Sequence, residues 1–260
     1  MKASEVRVDW RRTSALTTAD VDKALVMLSD DERAQHHRFH FADDARDYAA
    51  AHALLRTSLS SFSVESAGSR WSTMGTAPSE WRFDRDANGK PMLAGRHETS
   101  PSFSLTHTRG MVACAVAPAG IAVGVDVECN DPAVDVKRLA ARFFADSEIA
   151  TLAALGDRAR RERFFDLWTL KEAVVKALGV PLMPSLARVT FRIDERPNGR
   201  DIRLAGPLVG AGAPWTFALF TPADAYRLAV AAAWTTPTPE PRPLTISCLP
   251  DDGSSAHPVD

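Results

Sequence analysis

The sequence predicts an α+β protein made of two similar α/β lobes, and two observations carry that reading. A strand, turn and strand pattern, Phe103-Ser-Leu105 followed by Met111 to Val116, returns as Phe217-Ala-Leu219 followed by Arg227 to Ala232. Each reads as a β-hairpin, because short apolar runs flank a turn. An Arg-Phe pair with helical sequence behind it stands before each hairpin, Arg38-Phe39 in one half and Arg142-Phe143 in the other. The turn-forming stretch Pro118-Ala-Gly120 divides the halves, giving lobes over 1–118 and 119–235. A small ligand is expected in the cleft between two such lobes. Residues 236–260, rich in Pro, Ser and Asp, are expected to form a flexible tail that adds little to function.

The elements follow in order. A strand opens around Val6–Val8, and a helix covers Thr18–Leu28. Ser29 with Glu32 three residues on is a capping-box pattern that starts another helix. The run from Asp43 to Ser60 is strongly helical. In the second lobe Val136–Phe143 and Asp146–Leu155 read as helices, with Asp146 expected as the cap of the latter. A long helix from about Asp157 stops at Gly179, with Pro181 just beyond.

With 260 residues, 45% of them hydrophobic, the chain can bury one large core or two small ones. Its net charge of −2 argues against a general nucleic-acid binder. Cys114, Cys129 and Cys248 have no metal-ligand spacing and cannot all pair, which fits a reducing cytoplasm. No apolar run approaches a membrane span, so a soluble, unsecreted protein is expected.

Chemistry concentrates in two segments. In Gly124-Val-Asp-Val-Glu128, side chains alternate faces, so Asp126 and Glu128 point the same way, roughly 6 to 7 Å apart, while Val125 and Val127 face the core. In Trp168-Thr-Leu-Lys-Glu-Ala-Val-Val-Lys176, four-residue spacing puts Trp168, Glu172 and Lys176 on one helical ridge with Lys171 beside it. Phe164, Phe165, Leu167, Val174, Val175 and Leu178 surround the two charges with apolar surface. Burying charge without a partner is costly. If Glu172 faces the strand, three carboxylates converge, and their repulsion raises pKa values or demands a cation. An oxygen set of that size suits Mg²⁺, which completes its shell with water and substrate phosphate. The competing reading pairs Glu172 with Lys171 or Lys176 in a surface network and leaves the strand acids solvated.

Taken in order, the two segments resemble the signature of the 4′-phosphopantetheinyl transferases of the surfactin-synthetase type. Arg142-Phe-Phe144 with Glu148, Phe103-Ser-Leu-Thr-His107, Asn88-Gly-Lys-Pro91, Arg38-Phe39 and Ala51-His-Ala-Leu-Leu-Arg56 extend the similarity over roughly residues 5 to 235. The resemblance implies that family's two-lobed fold with coenzyme A in the cleft, and transfer of its phosphopantetheine arm to a serine of an apo carrier protein, releasing adenosine 3′,5′-bisphosphate. It implies a Mg²⁺, or Mn²⁺, held by Asp126, Glu128 and Glu172, which offsets charge on the leaving oxygen. Glu172 is the candidate base, and Lys176 the cation for the phosphate or the entering hydroxyl. Lys90 and His107, with Thr106 beside it, match positions near the nucleotide and its phosphates. Arg33, Arg46 and Lys171 are further candidate contacts. A monomer is expected, with each lobe supplying the other's partner surface.

The chain departs from the family pattern at Gln35 and Asp47, where basic residues are common. Arg46 is displaced by one position, about 100° around a helix. These departures keep a silent coenzyme A-binding or carrier-docking module in view, and the acids alone would also suit another Mg²⁺-dependent phosphotransferase or pyrophosphatase. Trp168, Phe39, Phe143 and Phe144 read as core, and His36, His37 and His40 as a solvated surface. Arg138, Arg142 and the arginines from Arg158 to Arg163 are candidates for steering an acidic partner, or simply for an exposed helix start.

Overall fold

The computed structural model describes residues 4–62, 76–95, 97–197, 199–206, 214–235 and 243–250. Its first strand, β1 (Ser4–Arg12), turns Val6, Val8 and Trp10 inward and pairs antiparallel with β5 (Met111–Ala117), which pairs in turn with β4 (Ser102–Thr108). A second sheet orders β6 (Ile121–Cys129), β10 (Tyr226–Trp234) and β9 (Trp215–Phe220), all antiparallel. The sheets share one apolar layer in which Val6, Val8, Ala113 and Ala115 meet Val123, Val125, Val127 and Val230.

Each sheet carries a long helix on its outer face. Helix α3 (Ala42–Ser61) lays Leu54, Leu55 and Leu59 against Val112, Cys114 and Val116. Helix α6 (Asp157–Leu178) lays Leu170, Ala173 and Val174 against Leu219, Ala229 and Ala231. This repeated arrangement is the α+β, two-unit architecture that the recurring hairpins predict. Helices α1 (Thr18–Met27) and α2 (Asp30–His36) precede α3, and the expected capping box forms, with Glu32 accepting from Ser29 N at 2.8 Å. Helices α4 (Val136–Phe143) and α5 (Asp146–Ala153) lead into α6, and α7 (Leu182–Ser185) follows it. Among the described residues no helix is long and apolar enough to cross a membrane.

Three expectations are corrected. Asp146 does not cap α5: the cap is Ala145, whose N–H donates to Glu148 at 2.9 Å, and Asp146 is the first helical residue. The stretch expected as a tail contains β11 (Leu244–Pro250), which pairs in parallel with β1 from Ser4↔Leu244 to Trp10↔Pro250. Leu244, Ile246 and Cys248 alternate into the shared apolar layer, so this short run gains burial and backbone pairing despite its polar surroundings. The first sheet therefore takes its edge strand from beyond residue 235, and lobes drawn as continuous segments do not describe it. The remainder of 236–260 lies outside the described residues. Two small hairpins are further elements: β2 (Phe83–Arg85) with β3 (Pro91–Leu93), and β7 (Thr190–Arg196) with β8 (Gly199–Ala205).

Two features set the position of the functional groups. The facing edges β4 and β6 are bridged by side-chain hydroxyls at every second residue of β4. Ser102 donates to Ile121 O at 2.5 Å, Ser104 accepts from Val125 N at 3.1 Å, and Thr106 and Thr108 reach Asp126 and Glu128 at 3.1 and 3.2 Å. Gly124 lets α6 sit directly on β6: a Cβ there would fall 1.8 Å from Ala173 O and 2.7 Å from Ala177 N.

Candidate active site

Strand alternation and the close seating of α6 bring together Asp126, Glu128 and Glu172, each with an oxygen within 4.8 Å of the others. Asp126 and Glu172 are buried, 2% and 8% exposed, so the reading of solvated strand acids does not hold. Lys176, one turn beyond Glu172, places its ammonium 2.5 Å from Asp126 Oδ1 and 3.7 Å from Glu172 Oε2, and its side chain is 27% exposed. Thr106 bridges the pair, donating to Asp126 and accepting from Lys176 at 3.1 Å.

Three acids and one ammonium leave a net negative site in low-dielectric surroundings. Burial, and then the neighbouring Asp126 charge, push Glu172 up to about 8, with Lys176 opposing. Burial and Asp126 likewise push Glu128 up to about 7, against hydrogen bonds from Thr108 and Trp168. Burial disfavours the Lys176 ammonium, but Asp126 and Glu172 outweigh it and hold the group above the usual lysine value. Asp126 Oδ2 is buried without a hydrogen-bond partner. An orphaned carboxylate oxygen among all-oxygen donors fits a hard divalent cation.

The other candidate residues divide. His107 alternates with Thr106 and Thr108 to the opposite face of β4, where it lines a groove of about 1370 Å³ with Arg33, Tyr48, His52, Phe83 and Arg85. Burial lowers the His107 pKa, although Asp47 works the other way. Arg33 borders the same groove but donates to Leu28 O at the end of α1 and pairs with Asp30. Lys90 donates to Lys176 O and Ala177 O at 2.6 and 3.2 Å, and Asn88 donates to Gly179 O at 2.7 Å, so the turn between β2 and β3 is fastened to the C-terminus of α6. Gly179 supplies the left-handed cap there, with φ 65°.

Arg46 is not brought to the groove: it pairs with Asp43 at 2.9 Å and lies 3.8 Å from Asp47. Asp47 itself is buried, accepting from Thr13 and from Gly110 N, which ties the end of β1 and the β4–β5 turn to α3. An acid at that position is therefore structural. Lys171 is a correction. Its ammonium is wholly buried, 2.8 Å from Glu148, and donates to Leu186 O at 3.1 Å and to Val189 O. One position along a helix turns it away from the acid trio, and it lies outside the groove lined by His107.

Trp168 packs among Phe143, Phe144 and Phe164, as a helix-orienting aromatic should. Arg160, Arg161 and Arg163 donate to helix, loop and strand carbonyls respectively, whereas Arg158 is 93% exposed. Sequence reasoning missed Thr108, and it quoted Gly124 and Glu148 only as parts of motifs, without their packing roles. Of these, only the hydroxyls at alternate positions of Ser102-Phe-Ser-Leu-Thr-His-Thr108 left a visible signal.

A repeated helix-on-sheet fold with a carboxylate trio, two of its members buried, and an attendant lysine suits a phosphate-ester transferase. The 4′-phosphopantetheinyl transferase superfamily model matches residues 122–231, the stretch from β6 into β10. The 4′-phosphopantetheinyl transferase HetI of Nostoc sp. is 32% identical over 171 residues, 65% of this chain and 67% of the relative. The L-aminoadipate-semialdehyde dehydrogenase-phosphopantetheinyl transferase of Schizosaccharomyces pombe is 30% identical over 205 residues, 72% of this chain and 75% of the relative. The 4′-phosphopantetheinyl transferase Sfp of Bacillus subtilis is 25% identical over 218 residues, 84% of this chain and 88% of the relative. The chain belongs to the 4′-phosphopantetheinyl transferase superfamily.

Proposed function

We propose that the chain transfers the 4′-phosphopantetheine arm of coenzyme A to a serine of an apo acyl or peptidyl carrier protein, with the chemistry carried by Asp126, Glu128, Glu172 and Lys176. The observation behind this assignment is the convergence of three carboxylates from β6 and α6 within 4.8 Å, with an ammonium beside them. A divalent cation held by these acids, Mg²⁺ or Mn²⁺, would supply charge neutralisation at the pyrophosphate and its leaving oxygen.

The remaining steps belong to the side chains. Glu172 takes the proton of the serine hydroxyl as that oxygen attacks the phosphorus bearing pantetheine. The bond to the second phosphate breaks, and adenosine 3′,5′-bisphosphate leaves. Lys176 steadies the phosphoryl oxygens from the exposed side of the trio. The nucleotide is assigned to the groove walled by Arg33 and His107, while Thr106 bonds Asp126 on the other face of β4. Lys90 serves this site by fixing the end of α6. A reducing, cytoplasmic setting fits the unpaired cysteines.

Incubation with coenzyme A, Mg²⁺ and a panel of apo carrier proteins tests the reading by intact mass. A gain of one phosphopantetheine arm on the carrier is expected. Phosphate release from small nucleotides with no carrier modification would assign the acids to another phosphotransferase instead, and tight coenzyme A binding without turnover would mark a silent module.

A further inference from the structure

We propose that Thr108 is a positioning residue that holds Glu128 in the orientation needed to share a divalent cation with Asp126 and Glu172. The inference rests on the metal reading above and concerns how this chain builds the site. Glu128 is the least buried of the three acids: it sits near the end of β6, is only half-buried, and carries one more rotatable bond than Asp126. Repulsion from Asp126 and Glu172 favours its rotation toward solvent. Thr108 Oγ1 opposes that rotation by donating to Glu128 Oε2 at 3.2 Å.

A hydroxyl suits this task. It gives one hydrogen bond, favours the ionised acid, and leaves most of the carboxylate lone pairs open to a cation. A lysine or arginine in its place would compete with the cation by charge. Nor does a backbone ladder do the work, because β4 and β6 belong to different sheets. Side-chain hydroxyls are what join them, and along β4 their partners change from backbone (Ser102, Ser104) to acids (Thr106, Thr108). Partners of metal-ligating groups typically change metal affinity by about 10- to 100-fold when removed.

The test compares Thr108→Val, which keeps shape and removes the donor, with Thr108→Ser, which keeps the donor. Mn²⁺ and Mg²⁺ binding to the full chain without coenzyme A is measured by titration calorimetry, with thermal unfolding in chelator as the folding control. Thr108→Val is expected to weaken metal binding about tenfold, Thr108→Ser to stay within about twofold of the parent, and all three to unfold within a few degrees of one another. Should the valine variant fail to fold, Thr108→Cys, similar in size and a poor donor, replaces it. Unchanged affinity in the donor-free variant, or equal losses in both, overturns the proposal. A parent protein that binds neither ion overturns the metal reading first and this one with it, so the two failures are told apart.

Discussion

The Lys171 ammonium lies 2.8 Å from the Glu148 carboxylate, and both groups are closed off from solvent. Glu148 also accepts from Phe191 N at 2.8 Å, so this one pair locks α5, α6 and β7 together. Since α6 carries Glu172 and Lys176, the pair also fixes the rotation of the helix that presents these two groups. Replacing Lys171 by Met should cost about 3–5 kcal/mol, because an uncompensated carboxylate is left in the core. Denaturant unfolding checks this, and a second change, Glu148→Gln, should recover part of the loss. An unaltered midpoint in the single variant would refute the locking role.

Glu172→Gln keeps shape and removes both the charge and the proposed base. Labelling of a carrier protein should fall at least about 100-fold, while the metal-free protein melts at much the same temperature below about pH 8, where Glu172 is already protonated, and higher above it, where a member of a repelling trio is neutralised. Retention of more than a tenth of parental labelling would remove Glu172 from the mechanism.

Stability of the metal-free protein should decline as pH rises. Glu172 and Glu128 are raised to about 8 and about 7 in the folded state, so between roughly pH 5 and 8 the folded chain holds more protons than the unfolded one. Folding is then favoured on the acid side of that window, and the benefit is lost as these groups ionise. Melting temperatures in chelator from pH 5.5 to 8.5 should fall, and Mg²⁺ should restore a larger increment at higher pH. A profile that is flat or rises in chelator would show that the acids are not held in this way.

Gly124→Ala should be severe for a side chain of a single carbon. The added atom would meet Ala173 O at 1.8 Å, and relief requires α6 to move off β6. Loss of soluble folded protein, or a melting temperature lowered by more than about 5 °C with labelling abolished, is expected. Alanine tolerated at this position with full activity would contradict the close seating of the helix.

Ending the chain after Thr235 removes β11 and uncovers the edge of β1. We expect a loss of at least about 2 kcal/mol from the apolar contacts of Ile246 and Cys248 alone, with aggregation on warming. Circular dichroism melts and light scattering compare the two forms, and equal stability would restore the view of a dispensable tail.

Much of this was readable in the sequence because strand and helix periods dictate side-chain direction. Asp126 and Glu128 had to share a face, and Glu172 had to share a ridge with Lys176. The spacing did not say which ridge of α6 meets the strand, and Gly124, whose missing side chain settles that, reads in a sequence as a mere strand weakness. Lys171 was misplaced for a related reason: its partner Glu148 lies on another helix, and no local pattern announces a buried ion pair. Strand β11 escaped because seven alternating residues between polar stretches carry too little composition signal, although Leu244, Ile246 and Cys248 keep period two.

The register Ser4↔Leu244 also bears on biosynthesis. The segment that forms β11 is synthesised long after the one that forms β1, so the nascent chain waits with one flank of β1 bare. Such long-range closure slows folding and leaves the newborn molecule open to self-association or to capture by chaperones.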